Sequence, residues 1–210
     1  MDDASPELPL YPDIRDPRVM VAVPRDRRAA MAALWGLAER LTRLLIDARE
    51  PLIGQIKLAW WRDMMVLLAA DPAALPKGEP LLAELQATWA GQGGLDTLAD
   101  GAEAMLLAED DAGRRAAAES FGAALFHLSG GGGGVRWGLL WGATVQDGEA
   151  EARQMFTAAR NQPAPPRVSF HGNKALLMLD RWAAAIAAVD GERRWRSEGL
   201  LLFRVGLIGR

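Results

Sequence analysis

Apolar side chains recur along the chain at the spacing of an α-helix, and the alternating β-branched runs typical of strands are missing. One periodic run covers Pro24–Asp47 and a second covers Pro51–Ala70. Proline favours the first position of a helix and disfavours helical geometry in the residue before it, so the second helix should begin at Pro51. The connection between the runs is short, which predicts two antiparallel helices packed on each other.

Seven further segments carry the same helical pattern. The predicted helices are Pro80–Ala90, Leu95–Ala108, Ala112–Leu128, Val135–Val145, Glu149–Ala159, Asn173–Val189 and Ser197–Ile208. The five glycines of Gly130–Gly134 predict a flexible connection, and Gln162–Pro166 predicts a proline-rich linker. Residues 1–20, rich in Pro and Asp, are expected to be extended. The chain is therefore predicted to be all-α, with one helical domain over residues 21–210.

Composition narrows the function classes. A length of 210 residues, half of them hydrophobic, fits one domain, and a net charge of −3 gives no strong field for nucleic acid. Cysteine is absent, so thiolate metal sites are excluded. The longest apolar runs, such as Met64–Ala70, are far shorter than the roughly 20 residues of a membrane span. We expect a cytoplasmic protein that at most touches a membrane surface, peripheral to the inner membrane.

Several segments carry distinctive sequence motifs. Arg49–Asp63 reads REPLIGQIKLAWWRD, and this segment is similar to the E-P-x-x-G-E-I-x-L-x-W-W-R-D stretch of the bacterial squalene/phytoene synthase family. Pro24–Ala38 resembles its P-x-x-R-x-A-x-x-A-L-Y-A-F opening, and Leu98–Leu106 resembles its L-I-D-G-x-E-x-D-L helix, with Met105 where an acid is usual. Leu202–Arg210 is similar to the end of short alphaproteobacterial members. The likeness covers most of residues 20–145.

The resemblance implies an isoprenoid-synthase-like helical bundle around a central cavity, truncated relative to active members. Active members join two prenyl diphosphates head to head, and two acidic D-x-x-x-D motifs on facing helices hold the magnesium diphosphate. Residues four apart share a helix face, and magnesium prefers oxygen ligands. The resemblance therefore implies carboxylates at two defined places in the chain.

The sequence departs from the family at both places. The positions matching the first motif are Thr42–Ile46, which hold no carboxylate, and Asp47 lies one residue beyond them. The nearest remnant of the second motif is Asp147 with Glu151, a candidate residual diphosphate or magnesium site. The basic flap and the R-G-x-x-Y-L-P stretch of active members have no match. These departures predict a catalytically degenerate protein.

Such a protein is expected to bind an isoprenoid, another lipid or an assembly partner, without a cofactor. One branch of the family, similar to the assembly factors of respiratory complex I, also lacks the acidic motifs. The alternative is an active magnesium-dependent prenyltransferase that uses Asp47, Asp147 and Glu151 in shifted positions. A third possibility is a helical module with a sealed interior.

Candidate cavity residues follow from the resemblance and from helical spacing. They are Trp35, Glu39, Arg43, Asp47, Gln55 and Trp60. A charged stripe on a helix also suits a solvated face with i,i+4 ion pairs, so both interpretations of Glu39, Arg43 and Asp47 stay open. The eight tryptophans suit either a lipid pocket or an ordinary core.

Four smaller predictions concern single residues and the C-terminus. Trp60 and Trp61 point about 100° apart on a helix, so only one of them should be buried. Asp110 precedes a helix and should cap it. His127 and His171 are far apart in the sequence and have no cysteine nearby, so they are not expected to form a metal site. The apolar segment Gly199–Arg210 should dock on the protein or, alternatively, lie on a membrane surface.

Overall fold

Residues 11–208 are described in a computed structural model, and every regular element among them is helical. The side chain of Ile208 lies outside this description. The α-helices are α1 (Pro17–Met20), α2 (Arg28–Ile46), α3 (Pro51–Ala70), α4 (Pro80–Trp89), α5 (Asp96–Leu107), α6 (Asp111–Leu128), α7 (Val135–Thr144), α8 (Glu149–Asn161), α9 (Lys174–Ala187) and α10 (Trp195–Ile208). Short 3-10 turns occur at Arg25–Arg27, Pro72–Ala74 and Arg167–Phe170. The all-α prediction is confirmed.

The ends of the helices follow local signals. Pro51 and Pro80 stand at the first turn of α3 and α4. The side chain of Asp110 accepts a hydrogen bond from the amide of Gly113 over 2.7 Å, so its predicted capping role is confirmed. The prediction that residues 1–20 are extended is wrong at Pro17–Met20, where Asp16 caps a short helix. Residues 1–10 lie outside the described residues.

The glycine run is packed rather than a free linker, which corrects the flexible connection expected from composition. Gly130, Gly133 and Gly134 adopt left-handed φ angles of 89°, 85° and 89°, which only glycine tolerates easily. The amide of Gly132 donates to the carbonyl of Ser169 over 2.6 Å. A Cβ atom on Gly131 would lie 2.6 Å from Leu176, so this segment forms a tight turn against two other parts of the chain.

Helices α2 and α3, predicted to pack on each other, do touch, but neither is the main packing partner of the other. Their mutual contact is sparse, whereas α3 packs chiefly on α5 and α2 on α4. The apolar spacing also predicts a buried stripe on α3, formed by Leu52, Ile56, Trp60, Met64 and Leu67. That prediction is wrong, because Leu52, Ile56 and Trp60 are exposed. The buried side of α3 consists of Gly54, Leu58, Trp61, Met65 and Leu68. Apolar residues surround most of this helix, so its periodicity does not identify the buried side.

The centre of the fold is α7, which packs on α6, α8 and α9. Gly122 on α6 and Gly138 on α7 let the two backbones approach closely. A Cβ atom on Gly138 would lie 2.1 Å from the carbonyl oxygen of Ala118, and one on Gly122 would lie 2.3 Å from that of Gly134. Only glycine permits this crossing.

The C-terminal helix α10 docks on α9 and also contacts α1. Leu202 and Val205 are buried in that contact, each with about 1% of its surface exposed. Docking of this segment on the protein, the first of the two expectations, is therefore observed for its described part. None of the helices among the described residues is both long and apolar enough to cross a bilayer.

Candidate functional site

The place where the first acidic motif would stand is part of the aromatic core. Thr42 is 2% exposed and accepts a hydrogen bond from the indole N–H of Trp141 over 2.8 Å. Its own hydroxyl donates to the carbonyl oxygen of Ala38 over 2.7 Å, within α2. Tyr11 precedes α1, and burial raises its pKa, while the side chain of Thr42 has a smaller effect that lowers it. The side chain of Thr42 is thus engaged in hydrogen bonds within the protein.

Stacked rings fill the space between α2, α6 and α7. Phe121 and Trp141 stack with centroids 3.9 Å apart, and Trp35 meets Trp137 edge-on at 5.1 Å. The indole of Trp35 donates to Ser129 Oγ over 3.1 Å, and that of Trp137 donates to the carbonyl of Pro12 over 2.7 Å. Core packing, rather than a ligand cavity, accounts for these tryptophans.

The six candidate cavity residues do not line one interior cavity. Trp35 is buried in the aromatic core, Trp60 is 40% exposed, and Asp47 is exposed at the end of α2. Gln55 is half-buried on α3. Glu39 and Arg43 form an i,i+4 ion pair and line a shallow opening of about 340 Å³ against α4.

Glu39 fits both interpretations that the sequence left open, a solvated ion-pair face and the lining of a cavity. It also pairs with Arg15 over 2.7 Å. Burial opposes the charged form of Glu39 and is the largest single effect, but the hydrogen bonds and positive charges of Arg15 and Arg43 together outweigh it and lower the pKa. The stripe is therefore partly a solvated ion-pair face and partly the wall of a surface opening.

The candidate residual magnesium site is not assembled. Asp147 is exposed in the turn before α8, and Glu151 lies in the first turn of α8, folded back over Gly148. Within residues 11–208, no group of three or more His, Asp or Glu side chains is arranged to hold a metal ion. Asp47, Asp147 and Glu151 accordingly do not converge on one point.

A different region, formed by α1, α9 and α10, carries two adjoining pockets that we call the trough. The first has a volume of about 640 Å³ and combines rings with guanidinium groups. Its lining residues are Tyr11, Asp13, Arg15, Asp16, Pro17, Arg18, Trp182, Arg193 and Trp195. Arg193 stacks on Trp195 at 4.0 Å, and Arg18 lies 4.9 Å from the ring centre of Trp182. This part of the trough presents polar and aromatic groups together.

The second pocket continues the trough and is lined mainly by apolar side chains, with the cations Arg18 and Lys174 among them. Its volume is about 520 Å³, and Arg18 lines both pockets. The other lining residues are Val21, Ala22, Lys174, Met178, Gly199, Leu202, Phe203, Gly206 and Leu207. Both volumes lie within the roughly 300–1,000 Å³ of small-molecule sites. A polar end followed by an apolar groove is the shape that suits an amphiphile.

The charges at the polar end cancel. Arg18 pairs with Asp16 over 2.8 Å and Arg193 with the buried Glu198 over 3.0 Å, and Arg15 is bonded to Asp13. Burial raises the pKa of Glu198, but hydrogen bonds from Arg193, from the indole of Trp182 and from the amide of Arg194 together lower it. Glu198 is therefore an ionised anchor that holds the start of α10 against α9.

The trough was not predicted as a site from the sequence, although two of its tryptophans pointed toward it. Trp182 and Trp195 belong to the tryptophans that were expected to line either a pocket or the core, and both line the trough. Its arginines and glycines carried no recognisable motif.

Comparisons of the chain with protein-family models, with curated proteins and with solved structures found no match.

Proposed function

We propose that this protein is a non-catalytic member of the squalene/phytoene synthase family that binds an isoprenoid-like amphiphile in the trough. The observation that carries the proposal is the junction of the apolar and polar pockets at Arg18. The apolar groove would hold the hydrocarbon chain, and the pocket beside Trp182 and Trp195 would hold the headgroup. Support for the family comes from the resemblance of residues 20–145 and from the all-helical fold.

The loss of catalysis is supported by the contacts of Thr42. A carboxylate at this buried position would have to replace a hydroxyl that accepts the N–H of Trp141. No second carboxylate lies four residues further on, because position 46 is an isoleucine. Without such a pair the chain lacks the oxygen ligands that magnesium diphosphate needs.

The balance of charge at the polar end favours an uncharged headgroup. Arg15, Arg18 and Arg193 are each bonded to a carboxylate of the chain itself. A diphosphate would bring further negative charge into a pocket whose cations are already neutralised, which is unfavourable in a partly buried site. A quinone or an alcohol can instead exchange hydrogen bonds with these groups. The proposed ligand is a prenyl chain with a neutral polar headgroup.

A binding experiment with a groove-filling variant tests the proposal. A Cβ atom on Gly206 would lie 3.8 Å from Met178, in ordinary contact, so Gly206→Leu should extend into the groove while improving helix propensity. Equilibrium dialysis with a short-chain prenyl quinone should show binding that falls by about tenfold or more in this variant. Gly93→Leu is the matched control, because a Cβ atom there meets nothing within 4 Å and Gly93 does not line the trough.

Two results would overturn the proposal. Unchanged quinone affinity in a folded Gly206→Leu protein would remove the trough as the site. Incubation with farnesyl or geranylgeranyl diphosphate and magnesium should release no pyrophosphate and form no C30 or C40 product. Stoichiometric release with such a product would establish an active enzyme instead.

A further inference from the structure

We propose that the outer face of α10 docks on an anionic bilayer surface, with the trough opening toward the lipid. We call this face, formed by Leu200, Phe203 and Leu207, the α10 outer face. The inference goes beyond ligand binding, since it concerns where the protein sits and stands whether or not the trough holds a quinone.

The first observation is that α10 is apolar on two opposite sides. Leu202 and Val205 face the core, while Leu200, Phe203 and Leu207 are 71%, 66% and 66% exposed. The three exposed residues recur at intervals of three and four, so they share one side of the helix. Such a helix buries one apolar side in the protein and offers the other to a second apolar medium.

Neighbouring residues enlarge the apolar area. Val21, 71% exposed, lines the apolar groove together with Phe203 and Leu207. Trp195, at the start of α10, is 46% exposed and carries Arg193 on its ring. An amphipathic indole next to a cation suits the boundary between hydrocarbon and water. The apolar area therefore has the aromatic border expected of an interfacial surface.

The second observation is the sign of the surrounding charge. Residues 167–208 contain seven Lys and Arg but four Asp and Glu, a formal charge of +3 in a chain whose net charge is −3. The four acids are each paired with an arginine, as in Asp190 with Arg160 and Glu192 with Arg194. Among the described residues, no acid lies within ion-pair distance of three exposed cations, which are Lys174, Arg196 and Arg204.

The positive charge around the α10 outer face favours binding to a membrane rather than to a protein partner. Basic residues bordering an apolar helix face attract anionic lipid, and the apolar side chains enter the headgroup layer. The exposed apolar side of α3, with Leu52, Ile56 and Trp60, offers a contrast inside the same protein. Its neighbours include both Lys57 and Asp63, so it has no excess of either charge.

Vesicle flotation with the full chain tests the proposal. The protein should float with vesicles of phosphatidylcholine and phosphatidylglycerol, and should not float with phosphatidylcholine alone. Replacing Leu200, Phe203 and Leu207 by serine should lower the bound fraction by about tenfold, because the inserted apolar area is lost. The matched control replaces Leu52 and Ile56 by serine on the other apolar surface and should float as the unaltered protein does.

A charge variant covers the possibility that the serine variant fails to fold. Arg196→Gln with Arg204→Gln changes only exposed side chains, and it should weaken flotation and remove much of its salt dependence. The proposal is overturned if the unaltered protein does not float, if both apolar surfaces contribute equally, or if the charge variant floats normally. Gly206→Leu should still float, which separates this surface from the ligand site.

Discussion

The indole N–H of Trp141 donates a hydrogen bond to Thr42 Oγ1 over 2.8 Å, between two side chains that are both at most 2% exposed. This bond joins α7 to α2 at a position that the sequence resemblance aligns with the first acidic motif of the squalene/phytoene synthases. Because Trp141 also stacks on Phe121, the threonine completes an aromatic core. Thr42 is thus a structural anchor between two helices, and this contact motivates the first prediction.

Replacing Thr42 by valine should destabilise the protein by about 1–3 kcal/mol, because the buried N–H of Trp141 loses its acceptor. Urea unfolding followed by circular dichroism measures the change. Thr88→Val is the control, since Thr88 also donates to the carbonyl four residues earlier but accepts no indole. Equal losses in both variants would mean that the i−4 bond, and not the indole, carries the effect.

Truncating the adjacent tryptophans should have unequal effects. Trp61 is 4% exposed and packs inside the bundle, so Trp61→Ala should cost about 3–5 kcal/mol. Trp60 is 40% exposed and contributes mainly its edge contact with Trp61, whose centroid lies 5.2 Å away. Trp60→Ala should therefore cost about 1 kcal/mol or less. Similar free energies of unfolding for the two variants would show that the phase of α3 is misassigned.

Two helical glycines should respond in opposite directions to alanine. At Gly138 the new methyl group would lie 2.1 Å from the carbonyl oxygen of Ala118, so α6 and α7 must separate. We expect a loss of about 3 kcal/mol or more. At Gly206 the new methyl group has room, so Gly206→Ala should raise stability by up to about 1 kcal/mol through helix propensity. Thermal unfolding of both variants checks the sign as well as the size.

Tyr11 should make the protein less stable at alkaline pH. Burial raises its pKa from the ordinary 10.0 to about 12, against a smaller opposing effect of the Thr42 side chain. In the unfolded chain Tyr11 ionises near pH 10, whereas in the folded protein it stays neutral until about pH 12. The free energy of unfolding should therefore fall by roughly 2–3 kcal/mol as the pH rises through this window.

The measurement for Tyr11 is direct, because it is the only tyrosine in the chain. Ultraviolet titration of tyrosinate in the folded protein should give a midpoint near pH 12, and the midpoint in urea should lie near 10. Tyr11→Phe should lose this part of the alkaline destabilisation. A folded-state midpoint near 10 would show that the hydroxyl is open to solvent.

The positions of the long helices could be predicted from the sequence by itself, as could the absence of a carboxylate at positions 42 and 46. Pro51, Pro80 and Asp110 act within one turn of their own position, so the helix ends that they mark follow from local chemistry. Neither Thr42 nor Ile46 carries a carboxylate, so a pair of acids at these two positions is excluded without any knowledge of the fold. The same local rule explains why only one of Trp60 and Trp61 is buried.

The buried side of α3, the packed glycine turn and the trough were decided only by the tertiary structure. Helix α3 is apolar around most of its surface. Which of Trp60 and Trp61 is buried therefore depends on how α3 packs on α5. Gly132 is held by Ser169, which is 37 positions away in the chain. The trough joins Arg18 to Met178 and Gly206. Such contacts depend on how distant segments fit together, and neither periodicity nor local propensity encodes that fit.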